Sequence, residues 1–322
     1  NNNYSASDQE SNVIQYTYFY RNDSTVNINQ NRVANNKRNN FNTQLQFSDR
    51  ITQKLNYAVG YNFSSNQSTN KLDAYDNLAA TALIDLNYSQ NQQNNNYNHG
   101  IITNLNFNSE KYNINVANRT NYKDQKLIDT YRNINLGRNF WDNDVNASLN
   151  YRISNRKNLN VSYQNNFDIP SFGQLQPLQP QTNPIFIQEG NPDLQKASNN
   201  ALRLNYNTMS LLKGTSWNIN SSIAIKSNPI VNKRTIDINS ITTSTYINVE
   251  GKSSWNANVN SNYSKPIFAK RVQLNFFSSA NYNNGFSFIR YTADKLQSNL
   301  AQYELRNTQN TNIATGLSIK EQ

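Results

Sequence analysis

From Asp144 to Phe167 the chain alternates, one residue at a time, between apolar and polar side chains. Val145, Ala147, Leu149, Tyr151 and Ile153 interleave with Asp144, Asn146, Ser148, Asn150 and Arg152. After the turn Ser154-Asn155-Arg156-Lys157 the rhythm resumes, with Leu159, Val161, Tyr163 and Phe167 set against Asn158, Asn160, Ser162, Gln164 and Asn166. Successive side chains of a strand point to opposite faces, so the pattern predicts a β-hairpin with one apolar face and one amide face. The unit recurs. Phe41, Thr43, Leu45 and Phe47 reverse near Ser48–Gln53 into Leu55, Tyr57, Val59, Tyr61 and Phe63. Ile101–Phe107 reverses into Tyr112–Val116, Leu202–Tyr206 into Trp217–Ile225, and a long strand over Tyr246–Tyr263 into Val272–Tyr282. Val13–Tyr20 and Ile313–Ile319 stand singly, and Leu78–Leu86 suits a short helix or a strand.

About 12 or 13 strands result, and their connections also alternate. Short reversals take turns with polar stretches expected as long loops near 21–40, 64–96, 123–140, 168–199 and 284–297. A soluble sandwich would have short loops at both ends. Short turns on one side and long loops on the other mark a barrel crossing the outer membrane, with an apolar lipid face and a polar lumen. The expected fold is therefore all-β, a transmembrane antiparallel up-and-down β-barrel. Barrels close with an even number of strands, and the ending Lys320-Glu321-Gln322 resembles a turn rather than a closing strand. The expectation is part of a 22-stranded barrel filling 1–322 as one incomplete domain.

Composition sharpens this picture. About one residue in five is Asn, which alone would suit a disordered tract, but 20 Tyr, 14 Phe and 3 Trp fall in register with the alternation. The net charge of +10 comes from Lys and Arg scattered among turns rather than clustered, so no nucleic-acid partner is expected. Turn cations suit anionic head groups instead. Trp217, Trp255, Tyr112, Tyr122 and Phe167 suit interfacial belts. The start Asn1-Asn2-Asn3-Tyr4 has no signal-peptide pattern.

Candidate chemistry is sparse. With no Cys and the single His99, neither a thiolate nor a zinc shell can be filled, and no cofactor is expected. His99 has no Ser and Asp pattern beside it and is read as a rim residue, so the chain is not expected to be an enzyme. Asp142-Asn143-Asp144-Val145-Asn146 imitates half of a calcium loop, but Ala147 and Ile153 replace its glycine and closing glutamate.

The least regular stretch, 168–199, holds five of the seven prolines and reads as a stiff loop. It contains Pro170-Ser171, Gln174-Leu175-Gln176-Pro177, Asn183-Pro184 and Gly190-Asn191-Pro192-Asp193-Leu194. These elements and their order resemble a signature in the barrels of TonB-dependent receptors, particularly the Bacteroidetes type. Gln195-Lys196-Ala197 departs from the pattern, and the plug domain and energy-coupling box are absent. The resemblance implies an outer-membrane receptor that imports a ligand with the TonB system, through a plug not present here. Its partners would be lipid and, if the barrel is instead a docking subunit of a larger complex, a surface lipoprotein. Pro170, Ser171, Gln174, Leu175, Pro177, Asn183, Pro184, Gly190, Asn191, Pro192, Asp193 and Leu194 are candidates for ligand or partner contact. The competing reading makes the same loop a structural lid on the barrel rim.

Overall fold

The computed structural model describes residues 2–19, 24–77, 83–177, 183, 185–237, 240–268, 271–291 and 304–321. One sheet holds all the strands. Twelve form a continuous antiparallel meander: β1 (Asn2–Phe19), β2 (Ser24–Arg50), β3 (Leu55–Asp76), β4 (Gln90–Asn108), β5 (Tyr112–Asp129), β6 (Ile134–Ser154), β7 (Lys157–Asp168), β9 (Ala197–Ser210), β10 (Thr215–Ser227), β13 (Ser253–Ile267), β14 (Val272–Tyr291) and β15 (Glu304–Glu321). Three short strands, β8 (Phe186–Gln188), β11 (Ile230–Ile236) and β12 (Thr242–Asn248), make a flap at one rim. The flap joins the wall through the parallel pair β11·β14, and within it β12 pairs in parallel with β8. The sheet does not close: among the described residues β1 and β15 each pair on one side only.

The register carries the alternation from strand to strand. One outward row runs Ile114, Leu149, Val161, Leu204, Ser221, Val259, Ala280, Ile313. Among the described residues no second sheet covers it: Leu45 is 72% exposed and Ile313 73%, which for apolar rows of this extent requires lipid. Two aromatic girdles bound the band. The lower includes Phe47–Tyr57, Tyr112–Tyr151 and Tyr206–Trp217, with ring centroids 6.1, 4.8 and 6.1 Å apart. The upper runs Phe41, Phe63, His99, Tyr122 and Trp141 across five adjacent strands. Tyr112 to Tyr122 and Trp141 to Tyr151 each span about ten residues, or roughly 23 Å of bilayer for a strand tilted by 45°. That matches the apolar height of an outer-membrane barrel.

Several expected loops are strand. β2 alone has 27 residues, about three times what the membrane needs. Residues 24–40, 64–76, 90–96, 123–129 and 134–140 continue the ladder above the upper girdle. Their alternation fades because no lipid lies outside them and much of what is buried on the inner side is polar, such as Gln92, Gln125 and Asp129, while backbone pairing persists. The reversal at 130–133 is consequently tight, and residues 20–23 lie outside the described residues. The proposed strand over Tyr246–Tyr263 is broken between β12 and β13, at a turn where Gly251 takes φ +67°. Of Leu78–Leu86, residues 78–82 lie outside the described residues, and Ile84 makes a single bridge to Tyr75. The 284–297 stretch is strand up to Tyr291.

Candidate functional site

The inward face is a wall of amides. Asn108, Asn113, Asn150, Asn160, Asn205, Asn220 and Asn260 are register partners on seven neighbouring strands. Asn113 donates to Asn108 and Asn218 to Asn207, so adjacent rungs tie to one another. Carboxamides donate and accept without charge, which suits a wet lumen.

The buried core lies above this, between the upper halves of the strands and the 168–196 connection. Leu127 is fully buried, and Leu175 and Leu194 are each 1% exposed. The connection folds inward as a lid. Its short helix α1 (Phe172–Leu175) starts with a capping box between Ser171 and Gln174. The lid's two proline-rich halves dock on each other: Gly190 N–H donates to the Gln176 carbonyl at 2.8 Å and Asn191 N–H to that of Gln174 at 2.6 Å. A β-carbon on Gly190 would collide with the Gln176 backbone, so only glycine fits. The wall holds the lid through Asp129, whose fully buried carboxylate pairs with Arg132 at 3.0 Å and accepts from Gln176 at 3.3 Å. Gln92 donates to Gln176 at 2.8 Å, and Arg138 donates to the Pro192 and Leu194 carbonyls at 2.8 and 2.5 Å. From the other side, β8 zips the lid into the flap, and Asn191 donates to the Tyr246 carbonyl at 3.0 Å.

Beneath α1 the wall of β1–β4 leaves a cleft of about 560 Å³, within the range of small-molecule sites. Its inward lining is Ser5, Asn36, Arg38, Asn66, Ser68 and Asn94, with Phe172 as the aromatic contact from the lid. Near it, burial and a hydrogen bond to Asp73 at 2.7 Å hold the Tyr131 phenol above its usual range, and Lys71 is raised by its own bond to Asp73.

The candidate residues thus divide. Pro170, Leu175 and Leu194 are buried, Ser171 and Gln174 cap the helix, and Gly190, Asn191 and Pro192 fasten the lid. Asn183 accepts from Gln15 at 3.5 Å, Asp193 is exposed, Pro177 is half-buried, and Pro184 lies outside the described residues. Asp142 and Asp144 sit inside β6, not in a loop, and Asp142 pairs with Lys123 at 2.7 Å. His99 stands in the upper girdle, its Nδ1 2.7 Å from the Tyr61 hydroxyl. The cleft residues went unnoticed in the sequence because they lie where polar side chains occupy both faces.

The sequence profile of the outer membrane protein beta-barrel family matches residues 1–320. The chain belongs to that family. As a member it lies in the outer membrane, and its barrel resembles those of TonB-dependent receptors. The Serratia marcescens hemophore receptor HasR, solved with its hemophore HasA and heme, superposes with a TM-score of 0.52 at 9% identity over 87% of this chain and 45% of that one. The ferripyoverdine receptor of Pseudomonas aeruginosa gives 0.46 at 9% identity, covering 98% of this chain and 47% of that one. The ferric citrate transporter FecA gives 0.40 at 7%, covering 99% and 59%. This family member therefore spans about half the length of the receptors it matches. Among curated proteins none matches it.

Proposed function

We propose that this family member is the wall of a TonB-dependent receptor that takes a ligand through the outer membrane, coupled through a plug to the TonB system. The cleft under the lid supports this reading above all. It is of ligand size, faces inward, and offers amides, hydroxyls, one guanidinium and one aromatic ring at the mouth of a polar lumen. HasR, which binds a hemophore, shares the fold. The test is uptake by cells carrying the intact protein, with Phe172→Ala and Asn94→Leu variants. A tenfold or greater fall in ligand-limited growth, with normal surface levels, is expected. Unchanged uptake on deletion of the gene would overturn the reading. A second reading, a barrel that docks a surface lipoprotein, is favoured by Ile14, Tyr16 and Tyr18, 77%, 69% and 40% exposed on the outward face of β1 above the bilayer. Stoichiometric co-purification lost in Tyr16→Asp, with uptake intact, would decide for it.

A further inference from the structure

Among the described residues, the strand ends flanking five short connections, at 51–54, 109–111, 155–156, 211–214 and between Ile267 and Val272, lie at the lower end of the band. Each has an exposed cation in it or at its edge: Arg50 and Lys54; Lys111; Arg156 and Lys157; Lys213; Arg271. None of these side chains has an acidic partner among the described residues. Each lies a few residues beyond a lower-girdle aromatic: Tyr57, Tyr112, Tyr151, Trp217 and Phe276 in turn. Lys157 faces the lipid side, and the strand residue Lys265 joins the set there. Lys157 pairs in register with Thr208, which pairs with Trp217, and Lys265 pairs with Leu274 and so with Ile319. The aromatics mark the headgroup level, so the cations stand at the depth of the lipid phosphates. At one point they converge. An open cleft of about 650 Å³ is lined by Arg156, Lys157 and Lys213 with Met209 and Ser154.

The geometry points to a phospholipid-binding rim: the cations at the short-turn end hold anionic phospholipid headgroups of the adjoining leaflet, with the Arg156–Lys157–Lys213 cleft as the strongest position. Their spread over all five short connections of the described wall, beside the girdle, fits a lipid annulus rather than a protein footprint, which would gather them in one patch. The contact is electrostatic and lies at the surface, so salt weakens it.

The test uses the intact protein in phosphatidylcholine vesicles doped with spin-labelled phosphatidylglycerol or spin-labelled phosphatidylcholine, reading the motionally restricted fraction of each. An enrichment of phosphatidylglycerol of about threefold is expected at low salt, falling towards parity at 1 M sodium chloride. The variant Arg156→Gln/Lys157→Gln/Lys213→Gln should lose most of it, while Lys126→Gln/Arg234→Gln at the opposite end should keep it. Heat-modifiable gel migration verifies that each barrel has folded. Equal restriction of the two lipids overturns the proposal, as does a preference that survives the triple variant or falls equally in the control. Inorganic phosphate abolishing the preference at an ionic strength where chloride does not would assign the cleft to free phosphate and overturn the lipid assignment.

Discussion

At the scale of single residues, the lid depends on two positions. Gly190→Ala would set a methyl group against the Gln176 backbone, whose nitrogen would lie 2.6 Å from it. Undocking of the lid by about 2 kcal/mol is expected, seen as faster protease cleavage between 170 and 196 with an unchanged barrel. Asp129→Asn keeps the shape but leaves Arg132, whose side chain is 8% exposed, without its counter-charge. The expected cost is about 3 kcal/mol, measured as loss of amide-exchange protection in 127–133 and 174–176. The sequence made the loop and its motifs visible because prolines and glycines signal at short range. It hid Asp129, Arg138 and Gln92, since a lone polar residue on an amide-rich strand resembles its neighbours until the lid is folded against it.

Elements were legible where solvent differs across the two faces. Between the girdles lipid lies on one side and water on the other, and alternation reports the strand faithfully. Above the upper girdle that contrast disappears. Residues 24–40 and 134–140 therefore look like loops while pairing as strands. The facial assignment makes a direct prediction. Val116→Arg, on the outward face near mid-band, should destabilise folding into vesicles by about 2–4 kcal/mol. Inward Asn115→Arg should cost under about 1 kcal/mol in the same urea titration. The contact between β3 and the 130–133 reversal should be alkali-sensitive. Tyr131 and Lys71 both hold their protons more tightly when folded, so their contribution is complete below about pH 10 and is lost as pH rises through their raised values. Amide exchange of 71–76 and 130–133, followed from pH 8 to 11, checks this.

For the molecule as a whole, the meander of twelve strands agrees with the number read from the alternation, and the flap does not. β11 and β12 pair across a parallel junction and are short, so nothing in their local sequence announces where they dock. The two open edges have a further meaning. β1 covers β2 only from Ser24 to Phe41, so among the described residues no strand pairs with Thr43–Arg50 on that side, at the depth of the acyl chains. Peptide groups exposed to hydrocarbon each cost several kcal/mol, so a strand must lie against that edge in the membrane.

The upward continuation of the strands changes what the outside world meets. Because the ladder runs on past the bilayer, the protein raises a hydrogen-bonded parapet around its mouth, where a fringe of independent loops would otherwise stand. Antibodies and phages arriving from outside then meet paired backbone well before they reach the level of the headgroups.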